Sequence, residues 1–405
     1  MSLNEYTALA KAALRVPKEC SPNVVRNILF NFGWKSMLNM RRFARRQKRN
    51  EPFFPAFVMI SVNEACNLSC SGCWVSSGGK KALSLQQLDG IIRSSKAKGS
   101  CFFGILGGEP LLYKGLMDVF EAHSDCYFQL FTNGTLITEE LAFRMKRMGN
   151  VTPLISIEGL EQESDERRGK SDVFARTLAG LRACRKAKLL IGAATSVCKS
   201  NFNELVRREH LEWLASEGVH YVWYYIYRPV GAQPNVENAL SREEIRTLRY
   251  FLVEQRRSAP LFIIDAYWDN LGKAICPGAT GMSHHIAPSG ALEFCPPLQL
   301  SKERLNDEAS NLVELFEQSS FLADMRSFTA STTRGCILMD APEKMTNFLI
   351  AQQLEDSTSR GTVLQEYRCM RPCPGHDMGE EAIPEANAAY RFLKKQYFFG
   401  FGAYG

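Results

Sequence analysis

Cys66, Cys70 and Cys73 stand in the run Asn63-Glu-Ala-Cys-Asn-Leu-Ser-Cys-Ser-Gly-Cys-Trp74, just after an apolar, strand-like stretch. The spacing C-x3-C-x2-C gathers three thiolates on one short loop. Three thiolates hold three irons of a 4Fe–4S cube and leave the fourth iron open to an outside ligand. An open iron suits catalysis, whereas a purely electron-carrying cube normally uses four protein thiolates. A second set, Cys276, Cys295, Cys336, Cys369 and Cys373, lies towards the C-terminus. Four thiolates from it would suit a further cluster, and tetrahedral zinc takes the same donors. Cys20, Cys101, Cys126, Cys184 and Cys198 have no motif spacing and read as ordinary core or surface residues.

Other polar runs punctuate the chain. Gly107-Gly108-Glu109-Pro110 combines two glycines, which let backbone approach a ligand closely, with an acid able to accept bonds from an ammonium group. Thr132-Asn-Gly-Thr135 and Ser156-Ile-Glu-Gly159 follow, then Arg167-Arg168-Gly169, whose guanidinium groups suit a carboxylate bidentately. Tyr225, Tyr227 and Arg228 form one further polar-aromatic group, and His284 and His285 could donate a proton or simply fill structural roles.

The elements that must position these residues alternate in type. Phe57 to Val62, Phe102 to Leu106, Tyr127 to Thr132, Pro153 to Ile157, Leu189 to Val197 and Tyr221 to Tyr227 read as strands. Helical patterns separate them, among them Ser84 to Lys98, Val173 to Ala187 and Phe202 to Glu217. Six βα units around a parallel sheet are too few for a closed eight-unit barrel, so the fold class expected is α/β, a partial (β/α)6 barrel open on one side. Each polar run falls at the C-terminal end of a strand, where parallel βα folds gather their chemistry. Ser241 to Arg257 is helical and charged, and Ala287 to Cys295 carries the turn residues and alternation of a β-hairpin.

The bulk composition is that of a globular chain: 405 residues, 45% hydrophobic and 23% charged. No apolar run is long enough to span a bilayer, and clustered cysteines without a secretory signal favour reduced thiols over disulfides. The net charge of +6 is mild but uneven, with Arg41, Arg42, Arg45, Arg46, Lys48 and Arg49 ahead of the first strand. Val24 to Arg49 mixes these with aromatic and aliphatic residues. It is either a helix packed on the barrel or a basic amphipathic helix on an anionic membrane surface, a peripheral contact through residues 24–50.

The three-cysteine loop and the GGEP run, at the ends of the first two strands, resemble those of the radical S-adenosylmethionine enzymes. That resemblance covers residues 57–375. It implies that the open iron binds the amino and carboxylate groups of the cofactor's methionine moiety, with Gly107, Gly108 and Glu109 holding the amino group and Pro110 completing the motif. The run Ser156-Ile-Glu158-Gly159 with Arg168 resembles members that carry SPASM or twitch extensions, and it implies that Ser156, Glu158 and Arg168 contact the cofactor, with Asn133 beside them. Most members have an aromatic residue just before the third cysteine. Here Gly72 holds that place, and Trp74 is the aromatic residue expected to stack on the adenine. Cys276, Gly290 and Cys295 match the hairpin spacing of a SPASM or twitch extension. With five rather than seven cysteines there, the resemblance implies one auxiliary 4Fe–4S cluster, on Cys276, Cys295 and two of Cys336, Cys369 and Cys373.

The expected organisation is an N-terminal extension to residue 52, a barrel core over 53–235, a helical connector over 236–270, an auxiliary-cluster region over 271–380, and a C-terminal helix and tail. The expected activity is reductive cleavage of S-adenosylmethionine to a 5′-deoxyadenosyl radical, which attacks an unactivated carbon of a lipid-like or other small amphiphilic substrate. A maturase of a ribosomally made peptide is the alternative, and a non-catalytic iron–sulfur or zinc protein a second one. The expected partners are a flavodoxin- or ferredoxin-type electron donor and no nucleic acid. The expected location is cytoplasmic or at the inner face of the membrane.

Overall fold

In the computed structural model the structure describes residues 3–75 and 78–395. The aromatic, glycine-rich end from Tyr397 to Gly405 lies outside the described residues.

A layer of helices comes first: α1 (Leu3–Glu19), α2 (Pro22–Asn27), a π-helical stretch (Ile28–Trp34) and α3 (Lys35–Lys48). The body then alternates β1 (Phe57–Ser61), α4 (Leu85–Ala97), β2 (Phe102–Leu106), α5 (Leu116–Ala122), β3 (Tyr127–Thr132), α6 (Glu139–Met148), β4 (Val151–Ser156), α7 (Glu161–Arg168) and α8 (Val173–Lys186). It continues through β5 (Gly192–Val197), α9 (Phe202–Leu205), α10 (Arg208–Glu217), β6 (Tyr221–Ile226), α11 (Arg242–Gln255) and β7 (Phe262–Ile264). The hairpin strands β8 (Ser283–Ile286) and β9 (Leu292–Glu293) follow, then short helices ending in Ala388–Lys395.

These nine strands form one sheet in the order β7-β6-β5-β4-β3-β2-β1-β8-β9, and Leu300–Ser301 pairs with Glu355–Asp356 in a separate antiparallel ribbon. Every pairing from β1 to β7 is parallel. This is the partial TIM-like architecture expected, with two additions. The short run Phe262–Ile264 extends the sheet beyond β6, and β8 pairs parallel with β1, so the hairpin is built onto the barrel sheet itself. Both sheet faces are covered, which is why Phe57, Ile60, Phe103, Ile105, Phe128, Leu130, Leu154 and Ile155 are fully buried and the strands read as continuous apolar runs.

Capping explains several boundaries. Ser84 and Gln87 form a capping box on α4, and Ser241 and Glu244 form another on α11. The single helix expected from Phe202 to Glu217 is broken, because Arg207 adopts an extended backbone between α9 and α10.

The N-terminal layer crosses the N-terminal ends of the strands. Arg15 donates to Val219 O at 2.9 Å, Ser21 N to Lys188 O at 2.9 Å and Asn23 to Arg147 O at 2.8 Å. Asn31 donates to Ser124 O at 2.9 Å and Asn39 to Ala56 O at 2.9 Å. Each acceptor lies just ahead of a strand, so α1 to α3 floor the barrel at the end opposite its polar runs.

Candidate active site

The cysteine loop leaves the C-terminal end of β1 and is braced by the turn after β2. Gly108 N donates to Asn63 O at 2.9 Å and Glu109 N to Ala65 O at 2.8 Å. A Cβ on Gly107 would overlap Asn63, and one on Gly108 would overlap the carbonyls of Glu64 and Ala65. The two glycines therefore serve close approach of the chain to itself, and both also face the cavity below. Glu109 departs from the expectation. It is fully buried, and it accepts from Thr132 Oγ1 at 2.7 Å, Leu111 N at 3.1 Å and Asn133 N at 2.8 Å. Burial pushes its carboxyl up and these donors pull it down. Glu109 ties the ends of β2 and β3 together, and neither it nor Pro110 lines the cavity. Asn133 continues the brace by donating to Asn67 Oδ1 at 2.9 Å.

The far side of the loop rests on α7. Ser71 N donates to Arg167 O at 2.8 Å and Lys170 to Asn67 O at 2.7 Å. Arg168 reaches Glu158 at 3.3 Å and lies 4.0 Å from Cys70 Sγ, so a cation stands beside a thiol of the motif. Arg167 pairs with Glu158 at 3.0 Å and donates to Ser196 O at 2.7 Å and Cys198 Sγ at 3.1 Å. Cys198 is thus part of the support for α7, a role its spacing did not signal. Gly72 takes φ +71°, and any Cβ there would overlap the Tyr227 hydroxyl. The aromatic residue that fills the space beside the third cysteine is therefore Tyr227, from the end of β6, while Trp74 sits farther along the loop.

Together these residues surround a cavity of about 260 Å³. Cys66, Cys70, Cys73, Trp74, Gly107, Gly108, Asn133, Ser156, Glu158 and Arg168 all line it, as do Tyr225, Tyr227 and Arg228. A second cavity of about 700 Å³ opens on the other side of the same cysteines. The donor set fits an iron–sulfur cluster. Leu68 N points at Cys66 Sγ from 3.5 Å, and Val75 N bonds to Cys73, the N–H···S pattern that favours thiolates. Burial raises the Cys66 thiol and pushes Cys73 up to about 12, so metal binding must displace their protons. Among the described residues no three His, Cys, Asp or Glu side chains gather tightly enough for a single metal ion.

Arg228 links this cavity to the C-terminal cysteines. Burial alone would lower its pKa, yet Tyr267 and the thiols of Cys336, Cys295 and Cys276 hold it above the usual arginine value. Cys276 and Cys295 are each raised by burial and then by neighbouring thiols, and each receives backbone N–H bonds from the turn that follows it. Cys276, Cys295 and Cys336 are therefore near enough to influence one another and Arg228 electrostatically. Cys373 N donates to Met339 O at 3.0 Å, which places it on the turn begun by Cys336, while Cys369 is exposed at a helix end.

A polar chain beside Gly107 was not foreseen. His285 Nε2 bonds to Ser61 Oγ at 2.8 Å, and its Nδ1 to Glu293 at 2.5 Å. Ser61 ends β1, the position where a polar residue in an apolar strand is the available signal. Gln299 and Arg360 hold the loop from the C-terminal side by donating to Trp74 O at 3.2 and 3.1 Å.

The description "Radical SAM superfamily" matches residues 60–214, which hold the loop, the GGEP turn and α7. The chain carries a radical SAM domain over residues 60–214. A 4Fe–4S cluster and S-adenosylmethionine, the cofactors expected from sequence, are those of this superfamily. The chain is 28% identical over 159 residues to the sporulation killing factor maturation protein SkfB of Bacillus subtilis, covering 38% of this chain and 39% of that one. It is 27% identical over 210 residues to an AdoMet-dependent heme synthase of Methanosarcina barkeri, covering 50% of this chain and 60% of that one. The chain thus spans about two fifths to three fifths of these relatives. SuiB of Streptococcus suis, solved with its precursor peptide SuiA, shares the fold at a TM-score of 0.60 and 18% identity, over 72% of this chain and 71% of that one.

Proposed function

We propose that this protein is an enzyme that modifies a peptide by radical chemistry. The observation that carries the reading is the convergence of Cys66, Cys70 and Cys73 on one cavity at the C-terminal strand ends, lined also by Arg228, whose guanidinium feels the thiols of Cys276, Cys295 and Cys336. Bound there, a reduced 4Fe–4S cluster and S-adenosylmethionine would supply a carbon-centred 5′-deoxyadenosyl radical. Cys66, Cys70 and Cys73 would hold the cluster, leaving one iron for the cofactor's methionine end. Ser156, Glu158 and Arg168 would orient that end, Arg168 as the partner of a carboxylate. Tyr227 stands where the adenine would stack, and the buried walls exclude water from the reacting atoms. Cys276, Cys295 and Cys336, with Cys373 as the nearest fourth thiol, would hold an auxiliary cluster. A flavodoxin- or ferredoxin-type protein would deliver the electron.

A peptide substrate is supported by the maturation protein and the precursor-peptide complex among the similar proteins. The lipid-like reading loses the support it took from the basic, aromatic N-terminus. That segment floors the barrel at the end away from the cavity, so it does not line a path for substrate.

The test is anaerobic reconstitution, reduction in the presence of S-adenosylmethionine, and chromatography of the nucleosides. The wild-type protein releases 5′-deoxyadenosine and Cys70→Ala does not; release by Cys70→Ala at the wild-type rate overturns the assignment. Co-expression with peptides encoded beside its gene, followed by mass spectrometry, tests the substrate class, with a haem precursor as the competing probe.

A further inference from the structure

Residues 1–52 hold eleven Lys and Arg against three Asp and Glu, an excess larger than the +6 of the whole chain. The helices that carry this charge present two different faces. The inward face packs on the barrel floor: Val24, Asn27, Asn39, Met40 and Phe43 are buried, and Phe32 stacks on Tyr127 with ring centroids 5.1 Å apart.

The outward face is apolar at one end and basic at the other. Leu29 and Phe30 are each 62% exposed and Trp34 is 56% exposed, an unusual investment of large apolar side chains in water. Arg41, Arg45 and Lys48 follow Trp34 at helical spacing on the same line and are all exposed. Arg46 and Arg49 have acidic partners in Glu317 and Glu51. Among the described residues Arg41, Arg45 and Lys48 make no ion pair, so their charge is turned outward.

We propose that this face, residues 29–48, docks the protein on an anionic lipid bilayer. Leu29, Phe30 and Trp34 sit at the boundary of headgroups and acyl chains, where aromatic rings are favoured. Arg41, Arg45 and Lys48 lie over acidic headgroups. A nucleic acid would satisfy the cations but leave the three apolar side chains in water. A bilayer satisfies both ends of the line. No helix among the described residues is long and apolar enough to cross a membrane, so the attachment is peripheral. The cavity with its cysteines lies at the other end of the barrel, so docking leaves that mouth facing away from the lipid.

Sedimentation of the full-length protein with vesicles tests this independently of any enzymatic activity. Vesicles of phosphatidylcholine mixed with phosphatidylglycerol should pull the protein down, and pure phosphatidylcholine should do so at least about tenfold less well. Phe30→Ser/Trp34→Ser and Arg41→Glu/Arg45→Glu/Lys48→Glu should each weaken binding at least about tenfold. Their unchanged circular dichroism would show that the fold survives, as expected for exposed positions. Absence of sedimentation with phosphatidylglycerol vesicles overturns the proposal, as does wild-type binding by either variant. Binding to heparin or polyglutamate that ignores the Phe30/Trp34 change, without vesicle binding, assigns the face to a soluble partner instead.

Discussion

Gly72 is fixed by its neighbours more tightly than any spacing rule conveys. Its φ of +71° disfavours a side chain, and Tyr227 occupies the space one would need. Gly72→Ala should therefore cost about 1–3 kcal/mol in chemical denaturation and lower the iron bound after reconstitution. Adding Tyr227→Ala should restore part of the iron by removing the overlap, leaving the backbone strain. If Gly72→Ala binds iron and unfolds like wild type, the packing described for the loop is wrong. Arg228 poses a different question, because it is a half-buried cation under the electrostatic influence of three thiols. Arg228→Met should reduce iron from about eight per chain, two cubes, towards about four, because clustered thiolates lose their counter-charge. A count that stays near eight would mean that Arg228 is not needed to hold the second group. The cysteine positions were legible in the sequence because their ligand spacing is local. The tie that Glu109 makes between β2 and β3 was not legible, because Thr132 and Asn133 are brought near it only by the sheet.

At the scale of elements, the order and direction of the strands were readable, since alternating apolar runs and helical periods report a parallel sheet directly. What periodicity could not report was the joining of distant pieces. The connector α11, β7 and the helix Ala388–Lys395 meet in a fully buried charge cluster of Arg249, Arg256, Asp265, Glu385 and Lys394. Asp265 accepts from Arg256 and, at 3.0 Å, from Lys394, and these cations hold its carboxyl well below the usual range despite the opposing cost of burial. Removing that one anion leaves three buried cations facing Glu385 alone. Asp265→Asn should destabilise the protein by about 3–5 kcal/mol. The exposed pair of Lys186 and Glu139, 2.7 Å apart, makes the control, and its loss should cost under about 1 kcal/mol. Equal denaturation midpoints for the two variants would show that the buried cluster does not lock the C-terminal helix to the barrel.

For the whole molecule, burial of neutral histidines sets a direction for stability against pH. Burial is the leading cause in each case: it lowers His284 to about 3, and His210 and His376 to about 4, from an ordinary 6.5. At His284 the cation Arg326 adds to burial and outweighs the bond to Phe294 O, which favours the protonated ring. His284 Nδ1 lies 3.0 Å from Phe294 O, and its Nε2 lies 3.2 Å from Arg326, so the ring donates at one nitrogen and accepts at the other. His376 Nε2 donates to Ile275 O at 2.9 Å, joining the C-terminal region to the cysteine-bearing hairpin region. Below pH 6.5 the unfolded chain takes up protons at these positions that the folded protein refuses until about pH 4. Stability must therefore fall as pH drops through that window, by up to about 1.4 kcal/mol per unit for each histidine. Urea midpoints should decline steadily from pH 7 to pH 4.5, and His284→Gln should flatten the decline by about one third, because one of three refused protons is gone. The cost is spread over β8, α10 and the loop after Cys373, so acid should unfold barrel and cysteine-rich region together. Separate transitions for iron release and loss of helix across that range would show that the two parts do not share one cooperative core.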